Sequence, residues 1–578
     1  MDPFDNLLKK DGFTLKLWRG ERMCLLGFDV DQPEPDLVGF SIECQSPGSP
    51  DFIPLRNRLA FAYDPAAGGV TGDRKFLSTQ APFQKFRWIH FPYNPQPGSY
   101  VYRATKIHMP QDGKLVAGTA IALPISLDPV TFPGYLDVGF TRNFASSQAY
   151  AETYGNNPNV IPNDPDAGLK FTRLPGDVYR WLGFEAYDLI LQFVQEALDD
   201  PSIELDILAY DLNEGDIVER LRQLGPRLRI VVDDSTTRTK KGAVQGHGVA
   251  GSAESQAAAI LAGSAGPDHV RRTHFQGLQH HKVMVARRAG QCFKVLAGST
   301  NFSYRGLYIQ ANNVLVFQSA ALAGLFGRMF DAAFNDPAHF NSDALSATWQ
   351  DVVEADHPQV HVCFAPHKDP DTGLTKVGDA INQARSSVLY AVAFLNLIRS
   401  GPTQQAFANL TKSDVFSYGV ADSAGGMNVM KPDGSVGLVD FGYLADHAPE
   451  PFKSEWGAGK GINIHHKFVV IDFNQPGAKV FTGSSNLAPG GEKGNGDHLL
   501  QIDDPRVATG YAIEALRVFD HLHFRSKMKE AQAAARGQKA PSVLALQKPS
   551  TLSGQPAWFA KYYQPDTAAA RDRLLFSS

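Results

Sequence analysis

The chain has 578 residues, which is too long for one hydrophobic core and predicts several domains. With 43% hydrophobic and 20% charged residues, its composition is that of an ordinary soluble globular protein. A net charge of −5 argues against a protein that coats nucleic acid, so any phosphate binding must come from a local basic pocket.

The four cysteines contain no C-x-x-C pair, and we predict neither a zinc site nor a disulfide framework, although Cys24 and Cys44 could pair if they face each other. We expect no metal and no cofactor. The first residues contain no apolar run of secretory length, and no stretch approaches the roughly 18 apolar residues of a spanning helix. A cytoplasmic location is therefore predicted.

Residues 1–130 predict an all-β domain. Short alternating or aromatic-rich runs are separated there by clusters of Pro, Gly and Asp. Regularly spaced short strands with turn residues between them indicate an antiparallel sandwich of immunoglobulin or fibronectin type. The predicted strands lie at residues 13–18, 23–28, 38–44, 59–63, 86–91, 99–107 and 115–122.

Residues 131–350 change to an alternation of strands and helices. Apolar side chains in residues 185–198 share one helical face. A sheet covered by helices follows from this alternation. Its other predicted elements are strands at 135–141, 203–210 and 228–233, a helix at 215–224, and a Gly-, Ala- and Ser-rich loop at 240–266 with a short helix at 254–261.

Residues 351–535 repeat this order before a tail at residues 536–578, which we expect to pack on the body through its aromatic side chains. Asn213 precedes His280 by 67 positions, and Asn396 precedes His465 by 69. An internal duplication explains this agreement better than chance. The predicted elements are strands at 360–365, 388–396 and 415–420, helices at 374–384 and 402–410, and a long Gly- and Asp-rich insertion at 422–460.

One motif occurs in both halves. Each copy is H-x-K followed by G-S-x-N, with the glycine 18 positions after the histidine. A single H-x-K on an apolar strand is usually accidental, but two copies with equal spacing indicate a shared functional site. The residues are His280, Lys282, Ser299 and Asn301 in the first copy, and His465, Lys467, Ser484 and Asn486 in the second.

Strand geometry places the imidazole and the ammonium of each motif on one face, about 7 Å apart, with His281 and His466 on the opposite face. The G-S-x-N turn adds an amide and a hydroxyl. Two such sets around one cavity suit a phosphate with a group on either side of it. One histidine attacks phosphorus and the other protonates the leaving oxygen, so no metal is needed.

The doubled motif resembles the phospholipase D superfamily, the HKD phosphodiesterases, over about residues 135–530. The resemblance implies two fused α/β halves with pseudo-twofold symmetry, a shared site at their interface and a phosphohistidine intermediate. It also implies that a downstream acidic residue orients each catalytic histidine, so that Asp497 would support His465. Asp472 completes the second motif as its structural Asp.

The first motif departs from the family pattern. Arg287 stands where the motif has Asp, and the counterpart of Asp497 is Asn312 or Asn313, so a carboxylate is missing. A carboxylate behind an imidazole stabilises its cationic form, which favours His465 as the nucleophile. Family precedent favours His280, and we assign the nucleophile to His280 and the general acid to His465.

The predicted function is metal-independent phosphodiester hydrolysis, with a phospholipid or small phosphodiester favoured by the acidic net charge. Three alternatives stay open at this stage: a nuclease or other nucleic-acid phosphodiesterase, a phosphatidyltransferase that uses an alcohol in place of water, and a non-catalytic phosphate-binding module.

Overall fold

The computed structural model describes residues 4–62, 76–128, 132–155, 157, 168–169, 176–239, 242–423, 426–431, 436–440, 463–536 and 544–578. The chain forms two compact units. The first, which we call the β-rich unit, combines Met1–Pro129 with Thr509–Ser578, and the second, the motif unit, is Val130–Ala508. This division differs from the predicted segments, because residues 509–535 group with the β-rich unit.

The β-rich unit contains two four-stranded sheets in which all neighbouring strands are antiparallel. Their orders are β1-β2-β3-β8 and β10-β9-β4-β5, and β6 pairs with β7. The immunoglobulin- or fibronectin-like topology stays a prediction. The strands are β1 (Asp5–Lys10), β2 (Phe13–Arg19), β3 (Cys24–Val30), β4 (Leu37–Gln45), β5 (Ile53–Pro54), β6 (Arg56–Asn57), β7 (Phe76–Leu77), β8 (Arg87–His90), β9 (Ser99–His108) and β10 (Val116–Ser126).

Aromatic side chains from both sheets and from the C-terminal tail share one core in this unit. Phe40 stacks on Phe28 with ring centroids 4.7 Å apart. Trp558 of the tail stacks on Phe86 at 5.3 Å and donates its indole N–H to the carbonyl oxygen of Leu37. The tail therefore completes the core of the β-rich unit. It contains helices Ser550–Ser553 and Ala568–Ser577 and the 3-10 helix Ala560–Tyr563.

The first half of the motif unit is built on a seven-stranded sheet of order β11-β19-β18-β17-β12-β13-β16. Its strands, with a separate hairpin of β14 and β15, are β11 (Leu136–Phe140), β12 (Ile203–Ala209), β13 (Leu228–Val232), β14 (Thr237–Arg238), β15 (Val244–Gln245), β16 (Val270–Arg272), β17 (Lys282–Arg288), β18 (Gln291–Gly298) and β19 (Asn313–Phe317). The helices are α1 (Ser147–Tyr154), α2 (Gly176–Asp199), α3 (Gly215–Gln223), α4 (Ala253–Ala265), α5 (Tyr304–Tyr308) and α6 (Ala320–Asn335).

The second half is built on a nine-stranded sheet of order β20-β21-β28-β27-β26-β22-β23-β24-β25. Its strands are β20 (Gln350–Val352), β21 (Gln359–Ala365), β22 (Ser387–Val392), β23 (Phe416–Ser423), β24 (Gly426–Met430), β25 (Val436–Asp440), β26 (Lys467–Ile471), β27 (Lys479–Gly483) and β28 (Asp497–Asp503). The helices are α7 (Asp371–Asn382), α8 (Gly401–Leu410), α9 (Pro489–Gly494) and α10 (Pro505–Arg536), the last of which continues into the β-rich unit.

The two sheets share a run of six strands, β11-β19-β18-β17-β12-β13 in the first and β21-β28-β27-β26-β22-β23 in the second. Within each run four antiparallel pairs are followed by one parallel pair, which is β12–β13 in the first half and β22–β23 in the second. Strands β12 and β22 are mostly apolar and largely buried, as expected where helices cover both faces of a sheet. The α/β architecture predicted for residues 131–535 is therefore present.

Three local predictions differ from the structure. Residues 59–62 form no strand. The predicted insertion after β23 instead extends the sheet through β24 and β25, while residues 441–460 lie outside the described part. The short helix predicted at 254–261 is present but longer, since α4 has 13 residues, because the Ala-rich sequence has high helix propensity and Ser252 caps its first turn. None of the helices in the described ranges is long and apolar enough to cross a membrane.

Candidate active site

The two H-x-K motifs lie at the starts of equivalent strands. Lys282 begins β17 and Lys467 begins β26, and each histidine lies just before its strand. The segments before the strands pair with the other half of the motif unit: the His280 N–H donates to Gly496 O at 2.9 Å, and the His465 N–H to Ala311 O at 3.0 Å. Both imidazoles are thus fixed where the two sheets meet.

The histidine of each H-x-K motif is oriented by a side chain from the opposite half. His280 Nδ1 lies 2.7 Å from Asp497 Oδ1, and His465 Nδ1 lies 2.8 Å from Asn312 Oδ1. The expectation that Asp497 supports His465 is therefore wrong. The reason is the backbone register, because Gln279 bridges to Gly496 and Ala311 bridges to Ile464, which brings the residues that follow into contact across the two halves.

The serines of the two G-S-x-N turns hold these orienting side chains. Ser484 Oγ donates to Asp497 Oδ1 at 2.7 Å, and Ser299 Oγ donates to Asn312 Oδ1 at 2.9 Å. Their hydroxyl hydrogens are therefore directed at the orienting residues and not at a substrate. The same arrangement occurs twice, once with a carboxylate and once with an amide.

Both lysines are almost fully buried beside the histidines. Lys282 Nζ donates to His280 O, and Lys467 Nζ donates to His465 O at 2.8 Å. Burial lowers the pKa of Lys282 to about 8, against the opposing effect of Asp497 and Asp211. Burial and the charge of Lys282 hold the pKa of Lys467 well below its ordinary value. A phosphate anion between the two lysines would favour their protonated forms, and ammonium groups are suitable ligands for its oxygens.

The imidazoles are neutral at neutral pH in the free protein. Burial holds the pKa of His280 well below its usual range, and the charges of Lys282 and Lys467 lower it further. Burial and the same two lysines lower the pKa of His465 in the same way. Because both Nδ1 atoms face an acceptor oxygen, the Nε2 atom of each neutral ring carries the free lone pair.

Asp497 is the carboxylate of the site. Burial raises its pKa to about 6, although Lys282 and Ser484 act in the opposite direction. The carboxylate is therefore ionised at neutral pH, but at an energetic cost that an exposed aspartate does not have. In the other half the neutral side chain of Asn312 occupies the equivalent position beside His465. Asn313 instead donates to His466 Nδ1 at 3.4 Å. Asn312 is therefore the counterpart of Asp497.

The asparagines of the two G-S-x-N turns differ in their surroundings. Asn301 Nδ2 donates to Asp211 Oδ2 at 2.6 Å, so its amide is held by a carboxylate. Asn486 Oδ1 is buried without a partner among the described residues. Tyr210 adds an aromatic wall on the first side, with its ring 4.8 Å from the His280 ring and 4.7 Å from Lys282 Nζ.

Sequence reasoning missed Tyr210 and Asp211. They follow β12, and the strand register aligns them with Ala393 and Phe394 after β22, because Ala209 pairs with Lys282 as Val392 pairs with Lys467. The sequence signal was that Tyr210 and Asp211 in the first half align with the apolar Ala393 and Phe394 in the second. This difference makes the two halves of the site chemically different.

Two further carboxylates anchor the segments before the histidines, and sequence reasoning missed both. Asp233 Oδ1 accepts from the Gln279 N–H at 2.7 Å, and Asp422 Oδ2 accepts from the Ile464 N–H at 2.6 Å. Each carboxylate therefore fixes the backbone one residue before the imidazole. Asp233 directly follows β13, and Asp422 lies near the end of β23. These two strands occupy equivalent places in the two sheets.

Asp472 lies outside the site and has a structural contact. Its carboxylate accepts the backbone N–H groups of Arg385, Ser386 and Ser387 and so fixes the start of β22. Arg287, at the equivalent position in the first half, pairs with Asp206 at 3.0 Å instead. The missing aspartate of the first motif therefore leaves the histidine and lysine geometry intact.

The neighbouring histidines point away from the lysines, as alternation predicts. His281 and His498 are fully buried with stacked rings and Nδ1 atoms 3.2 Å apart. His274 pairs with Asp234 at 2.5 Å in an exposed position. None of these three contacts Lys282 or Lys467 by a hydrogen bond within the described residues.

Comparison with known proteins gives structural similarity only. No family model and no curated protein matches the sequence. Similar solved structures include phosphatidylserine synthase from Haemophilus influenzae Rd KW20, which is 13% identical with a TM-score of 0.40 and matches 61% of this chain and 92% of that one. Polyphosphate kinase from Porphyromonas gingivalis is 12% identical with a TM-score of 0.34, over 56% of this chain and 46% of that chain.

Yeast tyrosyl-DNA phosphodiesterase is 9% identical with a TM-score of 0.29 and matches 53% of this chain and 84% of that one. The chain spans less than half the length of the polyphosphate kinase chain.

Proposed function

We propose that the chain is a metal-independent phosphodiester hydrolase of the phospholipase D type that acts through a phosphohistidine. The observation that carries this proposal is the crossed pair of oriented imidazoles, His280 on Asp497 and His465 on Asn312, beside two buried lysines. Lysine ammonium groups stabilise the equatorial oxygens of a transferring phosphoryl group, and two imidazoles serve attack and departure on its opposite sides. We also propose that the two halves are related by a pseudo-twofold axis.

His280 is the nucleophile in this mechanism. Its Nδ1 bonds to Asp497, which leaves Nε2 to attack phosphorus, and the carboxylate stabilises the positive charge that develops on the ring. The bond from phosphorus to the leaving alcohol oxygen breaks as the N–P bond forms. In the second step water attacks phosphorus, the N–P bond breaks, and His280 returns to its neutral form.

His465 is the general acid and then the general base. In the free protein its pKa is lowered by burial and by Lys467 and Lys282. A bound phosphate anion offsets the charge of both lysines, which raises the proton affinity of Nε2 when substrate is present. The protonated ring gives this proton to the leaving oxygen and later takes one from water.

A phospholipid or a small phosphodiester is the favoured substrate. The chain carries a net charge of −5, which disfavours a polyanion such as nucleic acid more than a molecule with one phosphate.

A substrate panel tests the proposal. Wild type and His465→Asn, both treated with EDTA, are assayed on phosphatidylcholine vesicles, on bis(p-nitrophenyl) phosphate and on single-stranded DNA. We expect the wild type to cleave the first or second substrate without added metal, and the variant to be slower by about 10²-fold or more. Ethanol added to the vesicles reports phosphatidyl transfer as a new phosphatidylethanol product.

Equal rates for the two proteins, or no cleavage of any substrate, would leave a phosphate-binding module as the function. Cleavage of DNA alone would make the chain a nuclease. His274→Asn is the matched control, because this histidine is exposed and paired with Asp234 away from the lysines.

The pH dependence of kcat/KM is expected to be bell-shaped. The rate falls as pH drops through about 6, because protonation of Asp497 removes the charge behind His280. It falls again as pH rises through about 8, because Lys282 then loses the proton that makes it a phosphate ligand, and Lys467, whose pKa is also lowered, adds to this loss. Rates measured from pH 5 to 9 check both limbs.

The acidic limb should disappear in Asp497→Asn, since an amide does not titrate. The alkaline limb should remain but move to lower pH, because Asp497 no longer raises the pKa of Lys282. A variant that keeps the acidic limb near 6 would show that another group is responsible.

A further inference from the structure

Three side chains of metal-ligand type lie together on the first-half side of the site, and none of them carries a chemical step in the mechanism above. Asp211, His247 and Glu254 each offer one ligand atom, and these atoms lie within 4.8 Å of one another. Asp211 follows β12, His247 lies between β15 and α4, and Glu254 is in the first turn of α4. Three separate elements therefore bring these ligand atoms together.

The imidazole of His247 is held with one nitrogen toward this group. Nδ1 lies 2.8 Å from Asp233 Oδ2, and Nε2 lies 3.0 Å from Asp211 Oδ1. Asp233 is fully buried and is itself fixed by the Ser235 hydroxyl at 2.5 Å. A carboxylate on the outer nitrogen is the usual support of a metal-binding histidine, because it fixes the ring and leaves the other nitrogen for the ion.

Glu254 adds a buried carboxylate to this group. Its side chain is only 5% exposed, and its carboxylate accepts one hydrogen bond, from the Leu212 N–H at 3.2 Å. His247 is its positively charged neighbour, and Asp211 and Asp233 hold that imidazole in place by hydrogen bonds. A divalent ion bound by the three side chains would take the place of the imidazolium proton as the positive charge between the carboxylates.

We propose that Asp211, His247 and Glu254 bind a divalent transition-metal ion. One imidazole nitrogen with two carboxylates suits Zn²⁺ or Mn²⁺, whereas Ca²⁺ and Mg²⁺ prefer a shell of oxygen ligands. Water completes the coordination, since three protein ligands leave positions open. The second half offers Ala393 and Phe394 where the first has Tyr210 and Asp211, so the site belongs to the first half.

The ion has a structural connection to the phosphate site but is not needed for the chemistry. Asp211 would give one oxygen to the ion while the other accepts the Asn301 amide at 2.6 Å. Metal binding therefore fixes the carboxylate that positions Asn301. The metal site stands independently of the proposed hydrolase activity, and EDTA-resistant cleavage remains the expectation for that activity.

Binding is measured on the EDTA-stripped, dialysed full chain. Co²⁺ is the probe for the electronic spectrum, and Zn²⁺, Mn²⁺ and Ca²⁺ are titrated by calorimetry. We expect one Co²⁺ or Zn²⁺ per chain with a visible cobalt absorption, and weaker binding by about 10-fold or more in both His247→Asn and Glu254→Gln. His274→Asn is the matched control, a nearby histidine on Asp234, and should bind as the wild type does.

Two results would overturn the site: no binding of Co²⁺, Zn²⁺ or Mn²⁺ to the stripped chain, or binding that both variants retain at wild-type strength. Thermal melting in EDTA identifies a variant that fails to fold. Glu254→Gln keeps the shape of the side chain, so its metal affinity tests the site if His247→Asn is unstable. Because the readout is binding, the result does not depend on whether any phosphodiester is cleaved.

Discussion

Replacing His280 with Asn is expected to abolish turnover, with a fall in kcat of about 10⁴-fold or more. Asn keeps a polar side chain but has no nitrogen lone pair able to form a bond to phosphorus. In the wild type, His280 Nε2 is the atom left free by the contact of Nδ1 with Asp497 at 2.7 Å. No other imidazole has a carboxylate behind it and the two motif lysines beside it in the described residues.

The covalent intermediate gives the sharpest measurement. An acid-labile phosphoryl adduct on the His280 peptide is expected in rapidly quenched wild type. With bis(p-nitrophenyl) phosphate, whose leaving group needs no general acid, it should accumulate in His465→Asn, which lacks the base that activates water. His281→Asn is the matched control, since its ring packs on His498 and not on the lysines. An adduct on His465 instead, or an active His280→Asn protein, would refute this assignment.

Asp497→Asn is expected to separate activity from stability. The rate should fall by roughly 10²-fold or more, because the imidazolium formed during attack loses its carboxylate. The fold should tolerate the amide, since Asn312 occupies the same place in the other half, with Ser299 and His465 as its hydrogen-bond partners. The two halves thus contain both versions of one arrangement.

The sign of the stability change follows from the pKa of Asp497, which burial raises to about 6 from the ordinary 3.8. The folded protein holds this proton more tightly than the unfolded chain, so ionisation destabilises the fold above about pH 6 and has no effect well below pH 4. This difference corresponds to roughly 3 kcal/mol. At pH 7.5 the variant should equal or exceed the wild type in free energy of unfolding, and the advantage should vanish near pH 4.

A double variant provides the control for this second prediction. Asp497→Asn with Asn312→Asp moves the carboxylate from His280 to His465 without changing the number of charges. If the carboxylate selects the nucleophile, the phosphoryl adduct should move to His465. A single Asp497→Asn protein with wild-type rate, or one that is less stable than wild type at pH 7.5, would contradict the role proposed for Asp497.

The motif residues were predictable because equal spacing in two copies is a local property of sequence. Alternation along the strand also separated His280 from His281 correctly. The partner of each imidazole was not predictable in this way. Asp497 lies 32 positions after His465, but the bridge between Gln279 and Gly496 carries it to His280. Register between two halves depends on tertiary packing, which periodicity within one half does not contain.

The remaining misses have the same origin. Three acidic residues belong to no recognisable sequence motif: Asp233, Asp422 and Glu254. Their contacts form only where strands and a helix come together in the folded chain. The β-strand runs of the first 128 residues were mostly visible because alternation and turn residues are local signals. The short strand β1 was missed, since its side chains are largely exposed and carry little apolar pattern.

The reciprocal bridges Gln279–Gly496 and Ala311–Ile464 determine when the site can form during synthesis on the ribosome. His280 is synthesised more than two hundred residues before Asp497, and Asn312 long before His465. A nascent chain that has completed only its first sheet therefore contains His280 without Asp497, and Asn312 without His465. The pair of oriented imidazoles is therefore complete only after the second sheet has been synthesised and packs on the first.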